Sequence, residues 1–481
     1  MSILLSGGTV VDPEAGTATI QDVLVTDGTV TQIGAVDAPE AVHVDVTGLV
    51  VGPGFIDLHS HVHSIAGQRL QAFDGVTTAL DLEAGLMPVA RGYAEAARDG
   101  RPLNYGFSAS WGSARAQVLL GIAPDATLES GLAVLGNPGW QRGSSPRELA
   151  ESVALLEREL ADGALGVGIL MGYAPRLDPE EYLAVARLAA GANVPTYTHV
   201  RELVESDPTT PIDGSEEIVR AAAETGAAMH HCHVNSTSRR HIDRVLGTLE
   251  RSRAEGSRVT VEAYPYGAGS TAVGAAFLEP AILGRWGIGP SSIVMVGTGE
   301  RVRDDRRLLE LRTDSPGAPC IIEFLDENDP ADAELLRRSL EFPDAIVASD
   351  AMPVYWPDGS HDTRAWPLPP GGTTHPRTAG TFMRALRMMQ WSWPEAFRRC
   401  SLLPAQVLRD VTPAMERKGR LAVGADADLV VLDPAAVTDR ATYADPAQAS
   451  AGVRHLLVDG QLVIRDGELD LDAYPGRAIR A

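Results

Sequence analysis

Hydrophobic and polar positions divide the chain into regions of two kinds. Residues 1–52 and the chain after about residue 411 show short β-branched runs broken by Gly, Asp and Pro, which is typical of strands joined by tight turns. Residues 53–410 alternate strand-like runs with amphipathic helical segments, a pattern typical of βα units and a parallel sheet. We therefore predict one small β-sandwich built from both termini (1–52 and 411–481) and a second domain at 53–410.

Eight strand-like runs occur in the middle region, and that number favours a closed (β/α)8 barrel of the TIM type over an open sheet. In order they are GFIDLH, VTTALDLE, NYGFSAS, ALGVGIL, VPTYTH, AMHHCH, RVTVEAY and AIVASD. The stretch at about 265–344 is too long for one βα unit and contains two further strand-like runs, SIVMVGTG and CIIEFL. We interpret it as an insertion over the barrel mouth, where long insertions commonly act as lids or substrate loops.

Composition narrows the classes of partner and the compartment. The formal net charge of −23 argues against nucleic acid and against anionic membrane surfaces, both of which select basic proteins. No apolar run approaches the roughly 18 to 20 residues of a membrane span, and the N-terminus lacks a basic region typical of a secretory signal. Three scattered cysteines fit a reducing compartment. We expect a soluble, cytoplasmic protein with a small-molecule substrate; a homo-oligomer is left open.

Side chains able to bind metal follow four of the predicted barrel strands. In a parallel barrel, catalytic groups come from the C-terminal ends of the strands. The first, fifth, sixth and eighth runs end in such residues, and these are His59, His61, His199, His233 and Asp350. A single histidine at a strand end is more often a hydrogen-bonded structural residue, but five such groups at one end of a barrel indicate a metal site. Imidazole and carboxylate ligands suit Zn²⁺ or a similar divalent ion, with one or two ions expected.

The order of these motifs resembles the amidohydrolase superfamily over the whole chain. GLVVGPGFIDLHSH is similar to that family's entry into the barrel, SLLPAQVL to its last barrel helix, and KGRLAVGADADLVVLD to its return to the sandwich. Within the superfamily, VEAYPYGAGST, THPRTAGTF, THVRE and GALGVGILMGYAP look like segments of the D-aminoacylases, the N-acyl-D-amino-acid deacylases. The resemblance implies a metal-dependent hydrolase of carbon–nitrogen bonds other than peptide bonds.

Two positions depart from the D-aminoacylase pattern. Where those enzymes carry a metal-binding cysteine after the second strand, this chain has Ala84, with Glu83 one position earlier. A carbamylated lysine cannot replace that cysteine, because Lys418 is the only lysine and arginine forms no carbamate. Glu83 is therefore the candidate bridging ligand, and its alternative interpretation is a solvated loop acid. Asn235 lies near the place of a lysine that the family carries after the sixth-strand histidine.

The resemblance also implies a substrate-binding set. Arg377 of THPRTAGTF could pair both oxygens of a substrate carboxylate, since a guanidinium presents a planar fork; the alternative is that it anchors the loop after the last strand. The other members of the predicted set are Tyr173, Arg201, Tyr266 and Ser270.

The predicted reaction is hydrolysis of a linear amide bond in an N-acyl (D-)amino acid or related N-acyl compound. A divalent ion would activate the attacking water, and Asp350 would act as general base and then as general acid. One rival is a cyclic-amide hydrolase resembling hydantoinases and dihydroorotases, or a deaminase. Another is a non-catalytic barrel, which is disfavoured because all five ligand candidates are present.

Overall fold

The computed structural model describes residues 2–360 and 362–481, so Met1, where the predicted sandwich begins, lies outside the described residues. Its strands are β1 (Ser2–Asp12), β2 (Thr17–Thr26), β3 (Thr29–Gly34), β4 (Val42–Asp45), β5 (Val50–Pro53), β6 (Phe55–Asp57), β7 (Val76–Leu86), β8 (Asn104–Ser110), β9 (Val167–Leu170), β10 (Thr196–His199), β11 (Met229–His231), β12 (Val259–Ala263), β13 (Ala268–Ala272), β14 (Ile293–Met295), β15 (Pro319–Glu323), β16 (Ala345–Val347), β17 (Leu429–Leu432), β18 (Val453–Val458), β19 (Gln461–Arg465) and β20 (Glu468–Leu469).

The α-helices are α1 (Ile65–Phe73), α2 (Val89–Asp99), α3 (Trp111–Leu120), α4 (Leu128–Val134), α5 (Pro138–Gln141), α6 (Pro146–Ala161), α7 (Pro179–Ala192), α8 (Gly214–Thr225), α9 (Val234–Ser238), α10 (Ile242–Ala254), α11 (Pro280–Arg285), α12 (Asp305–Asp314), α13 (Pro330–Glu341), α14 (Arg377–Met389), α15 (Trp393–Phe397) and α16 (Leu403–Leu408). Local sequence explains their starts. Ser145 and Glu148 form a reciprocal capping box on α6, and the Asp178 carboxylate accepts the Glu180 N–H to cap α7. Among the described residues, no helix is both long enough and apolar enough to cross a membrane.

Strands from both ends of the chain form one nine-stranded sheet. Its order is β20-β19-β18-β17-β5-β1-β2-β3, with β4 paired to β1. The antiparallel pairing of β17 with β5 joins the C-terminal strands to the N-terminal ones. Alternating apolar residues from both ends pack together in its core, including Leu5, Val23, Val51, Leu429 and Leu457. The prediction of a separate β domain built from both termini is confirmed.

The eight strands predicted for the barrel form a second, parallel sheet in the order β6-β7-β8-β9-β10-β11-β12-β16. All eleven residues of β7 are buried, as expected for a strand of a parallel sheet covered on both faces. Beyond the ends of β6 and β16, Ser60 and Ala351 pair in a parallel bridge, and the His61 N–H donates to the Ala351 carbonyl at 2.9 Å. The first and last strands therefore meet, and the predicted TIM-like barrel is confirmed.

Between β12 and β16 the chain forms a three-stranded antiparallel sheet, β13-β15-β14, and the helices α11 to α13. By packing, the chain divides into two compact units. Among the described residues, the first contains 2–80, 95–106, 346–360 and 362–479, and the second contains Asp81–Ala94, Phe107–Ala345 and Arg480–Ala481. The domain boundaries at residues 52 and 411, and the role of the insertion, stay predictions.

Candidate metal centre

In the first unit, three of the predicted ligands converge. His59 and His61 follow β6, and their Nε2 atoms lie 3.1 Å apart. Oδ1 of Asp350, which follows β16, lies 3.4 Å from His59 Nε2 and 3.5 Å from His61 Nε2. All three residues are buried. Alternation along the extended chain explains why the two imidazoles meet, because positions 59 and 61 share one face.

The buried carboxyl group of Asp57 accepts hydrogen bonds from the backbone beside these ligand candidates. Its Oδ1 accepts the backbone N–H of His59 at 3.2 Å and that of Ser349 at 3.0 Å. Its Oδ2 accepts Gln71 Nε2 at 3.0 Å and also the Ser349 hydroxyl. Burial raises the pKa of Asp57 to about 6, against the lowering effect of its hydrogen bonds from Ser349 and His59. Asp57 thus ties the residue before Asp350 to the backbone of His59.

In the second unit, Glu83 joins two further predicted ligands. Its Oε1 lies 2.7 Å from His233 Nε2 and 3.2 Å from His199 Nδ1. Glu83 is only 4% exposed, so its alternative interpretation as a solvated loop acid is wrong. Ser236 Oγ lies 3.0 Å from the other ring nitrogen of His233, Nδ1, and fixes the orientation of that ring.

Two glycines of the GALGVGILMGYAP segment leave the room that this cluster needs. A Cβ on Gly168 would lie 2.3 Å from the carbonyl oxygen of Glu83, and a Cβ on Gly172 would lie 2.4 Å from Cδ2 of His199. Both contacts are too short for any side chain. The glycines in β9 and after it therefore allow the backbone of Glu83 and the ring of His199 to pack against this strand.

Two of the ligand candidates have a strained backbone. His233 has φ 34° and Asp350 has φ 50°, in the left-handed region that residues with side chains seldom adopt. Such conformations cost about 1–3 kcal/mol each and persist where the surroundings hold them, which is common at functional sites.

The spacing of the donor atoms fits a metal ion. Zinc bonds of about 2.0–2.2 Å in tetrahedral geometry put neighbouring ligand atoms roughly 3.3 Å apart. The distances from His59 to His61, from both to Asp350, and from His199 to Glu83 span 3.1 to 3.5 Å. Each cluster offers two imidazole nitrogens and one carboxylate, a donor set that zinc accepts.

Two of the predicted substrate-binding residues, Arg377 and Tyr173, contact ligand candidates. Arg377 is wholly buried, and its NH2 group lies 2.8 Å from Asp350 Oδ1. The Tyr173 ring packs on His199 with centroids 4.8 Å apart, and its hydroxyl lies 2.9 Å from Thr271 Oγ1, one residue beyond Ser270. Ser270 itself is half-buried on β13.

Two other members of the set have structural partners. Tyr266 lies in an apolar cluster with Tyr264, Phe324, Leu325 and Leu336. Arg201 is buried, and its guanidinium donates to Glu217 Oε2 at 2.7 Å and to the Pro175 carbonyl at 2.8 Å. Arg201 therefore has a structural ion pair, and we do not assign it to the substrate.

Sequence reasoning missed three residues that support the two clusters. Asp57 is one, and its position two residues before His59 on the same strand face was the available signal. Glu262 is another: it lies in β12 and accepts the His233 N–H at 3.2 Å. The third is Phe277, whose ring stacks on that of His199 at 5.5 Å and 12°; no pattern in its segment indicated this.

A family model described as the amidohydrolase family matches residues 43–307 and 359–464, which is most of the chain. The chain belongs to the amidohydrolase family. This amidohydrolase is 27% identical to an N-acyl-D-glutamate deacylase of Alcaligenes xylosoxydans xylosoxydans, covering 100% of this chain and 96% of that protein. It is 28% identical to a D-aminoacylase of the same organism, with 95% and 93% covered.

Solved structures agree on the fold of this amidohydrolase. A crystal structure of D-aminoacylase superposes with a TM-score of 0.78 at 23% identity, over 100% of this chain and 99% of that one. The N-acyl-D-glutamate deacylase of Bordetella bronchiseptica, solved with zinc and a phosphonate mimic of the tetrahedral intermediate, gives 0.75 at 23% identity with the same coverage. The resemblance to D-aminoacylases expected from the motifs is confirmed.

Proposed function

We propose that this amidohydrolase removes the acyl group from an N-acyl amino acid, with a D-amino acid as the expected substrate, and that it does so with one or two bound zinc ions or similar divalent ions. The observation that carries the proposal is the spacing of 3.1 to 3.5 Å between the donor atoms of His59, His61 and Asp350, which matches that around zinc. The full-length similarity to two deacylases of N-acyl-D-amino acids supports the linear amide substrate.

In this proposal His59, His61 and Asp350 would hold a divalent ion as one ligand group. Glu83, His199 and His233 form the second candidate group, in which Glu83 is the expected bridging ligand. A bound divalent cation lowers the pKa of water to about 7 and polarises a carbonyl group. Glu83 suits the second group because one carboxylate oxygen already faces both imidazoles.

Asp350 is the proposed general base and acid. Its carboxylate would accept the proton of the attacking water and deliver that proton to the leaving nitrogen, so that the amine departs uncharged. Its left-handed backbone and its ion pair with Arg377 keep Oδ1 directed at the histidines. The substrate carboxylate is assigned to Arg377 with Tyr173, Tyr266 and Ser270, and this assignment is also a proposal.

The test combines metal analysis with a substrate screen. The purified protein should contain zinc, lose hydrolysis on prolonged chelation and recover it when zinc is added. N-acetyl and N-formyl derivatives of D- and L-amino acids are compared with hydantoin and dihydroorotate. Turnover of the cyclic amides alone would replace the proposal with the cyclic-amide alternative, and full activity without metal would overturn it.

A further inference from the structure

Glu262 stands out because its two carboxylate oxygens serve different partners in the interior. It lies on β12 and is 1% exposed. Oε1 accepts the backbone N–H of His233 at 3.2 Å. Oε2 lies 3.0 Å from Nε2 of His230, whose Nδ1 lies 2.8 Å from Thr260 Oγ1. The carboxylate is thus held at one oxygen by a wholly buried histidine, while the other holds the backbone of a ligand candidate.

The N–H that Glu262 accepts belongs to the residue with the lowest positive φ among the described residues other than glycine. His233 has φ 34° and ψ 58°, just beyond the end of β11. A residue with a side chain stays in this region only where its surroundings hold it. This turn carries the chain into α9 and places His233 Nε2 2.7 Å from Glu83 Oε1. A relaxed backbone at this point would swing the imidazole away from Glu83.

We propose that Glu262 is a positioning residue that fixes the left-handed turn at His233 through its hydrogen bond to the backbone, with His230 as its anchor. The proposal rests on the metal site of the proposed function. It makes a specific claim: zinc affinity depends more on the length of the residue 262 side chain than on its negative charge, because the group that it holds at His233 is a neutral backbone N–H.

Two conservative substitutions separate reach from charge. Glu262→Gln keeps the length, and its amide oxygen can still accept the His233 N–H. Its NH2 group then donates to His230 Nε2, which a tautomer with the proton on Nδ1, donated to Thr260 Oγ1, allows. Glu262→Asp keeps the charge but is one methylene shorter, so it cannot bond His233 and His230 at once.

Glu159 supplies the matched control. It is a buried acid of the same unit, and its Oε2 accepts a backbone N–H, that of Val89, at 2.6 Å. Glu159→Asp withdraws a buried carboxylate from a backbone donor, Val89, that is not a ligand candidate. A general loss of packing would therefore affect both Asp variants alike.

The measurement is the dissociation constant of Zn²⁺, by competition with a chromogenic chelator, with the absorption spectrum of the Co²⁺-loaded protein as a second readout. We expect Glu262→Asp to weaken zinc binding by about 10- to 100-fold, the usual effect of losing a group that orients a ligand. Its cobalt spectrum should change as well. Glu262→Gln should stay within about threefold of wild type, and Glu159→Asp should match wild type.

Wild-type affinity in Glu262→Asp would overturn the inference, as would a larger loss in Glu262→Gln than in Glu262→Asp, since that order would show that charge matters. An equal loss in Glu159→Asp would also overturn it, by reducing the effect to general destabilisation. A wild-type protein that binds no zinc would instead refute the proposed function itself, so the two failures are distinguishable.

Discussion

The guanidinium of Arg377 lies 2.8 Å from Oδ1 of Asp350, the same oxygen that faces the imidazoles of His59 and His61. Arg377 is wholly buried and the Asp350 side chain is 11% exposed, so solvent screens this ion pair poorly. The arginine expected to bind a substrate carboxylate is therefore also a partner of the expected general base. A substitution at either residue changes the surroundings of the other.

The first prediction concerns Asp350→Asn. The amide keeps the shape and still accepts a hydrogen bond from Arg377, but it cannot take a proton from water. We expect kcat to fall by about 10²- to 10⁴-fold, the usual contribution of general acid–base catalysis. Steady-state kinetics on the best substrate of the screen measure the loss, and a circular-dichroism melt checks the fold. A near wild-type kcat would assign the base to another group.

The second prediction separates the two roles of Arg377. In Arg377→Met, the loss of the Asp350 partner should lower kcat/KM for every substrate. A substrate carboxylate that also pairs with Arg377 should add a further loss of about a hundredfold, or about 3 kcal/mol. The measurement compares an N-acyl amino acid with its carboxamide. Equal losses on the two would mean that Arg377 serves Asp350 alone and anchors the loop after the last strand.

Much of the fold follows from periodicity. The eight barrel strands could be predicted because short strand-like runs alternate with amphipathic helical segments along this part of the chain. Strand β13 (Ala268–Ala272) was not predicted, because small residues dominate its sequence and give little β signal. It forms through antiparallel pairing with β15, in which Ser270 opposes Ile321. Such pairing is a tertiary contact that local sequence does not encode.

Candidate ligands could be predicted because a parallel barrel puts strand ends at one edge, so chain position alone selects them. Their partners could not. Side-chain direction and strand register decide these partners. Arg201 pairs with Glu217. Asp57 accepts the backbone N–H of Ser349. Glu83 was separable from a loop acid only once its burial beside His233 was known. Residue type and spacing predict the chemistry, and packing decides which neighbour each group engages.

The third prediction is that Glu83→Ala lowers the zinc content of the purified protein. The carboxylate lies within 3.2 Å of both His199 and His233, so its removal takes a shared donor from their site. Metal analysis should show a reduced zinc-to-protein ratio with lower activity. Glu83→Cys is the informative companion, since a thiolate also binds zinc and should restore part of the metal. Unchanged zinc and rate in the alanine variant would remove Glu83 from the ligands.

The last prediction concerns Lys418, the only lysine in the chain. It is 6% exposed, with Nζ 3.0 Å from Asp426 and also hydrogen-bonded to Asp428. Asp428 in turn accepts Asn104 Nδ2 at 3.0 Å and the Asp459 N–H at 2.7 Å. None of these partners is a ligand candidate. Lys418→Met leaves the buried Asp428 carboxylate without its cation, whereas Asp426 keeps Arg417 at 2.8 Å. We expect the free energy of unfolding to fall by about 3–5 kcal/mol.

The pH dependence of that loss gives the prediction a second test. Burial by itself lowers the pKa of Lys418, but Asp428 and Asp426 outweigh it and the pKa lies above its usual value. A raised pKa stabilises the fold fully below the unfolded pKa of about 10.5, and this stabilisation is lost as the pH rises through the folded value. Urea unfolding of Lys418→Met should therefore show its full deficit at pH 8, and the deficit should shrink only above about pH 10.5. Zinc content should match wild type throughout. A deficit below about 1 kcal/mol at pH 8, typical of an exposed pair, would show that this ion pair adds little.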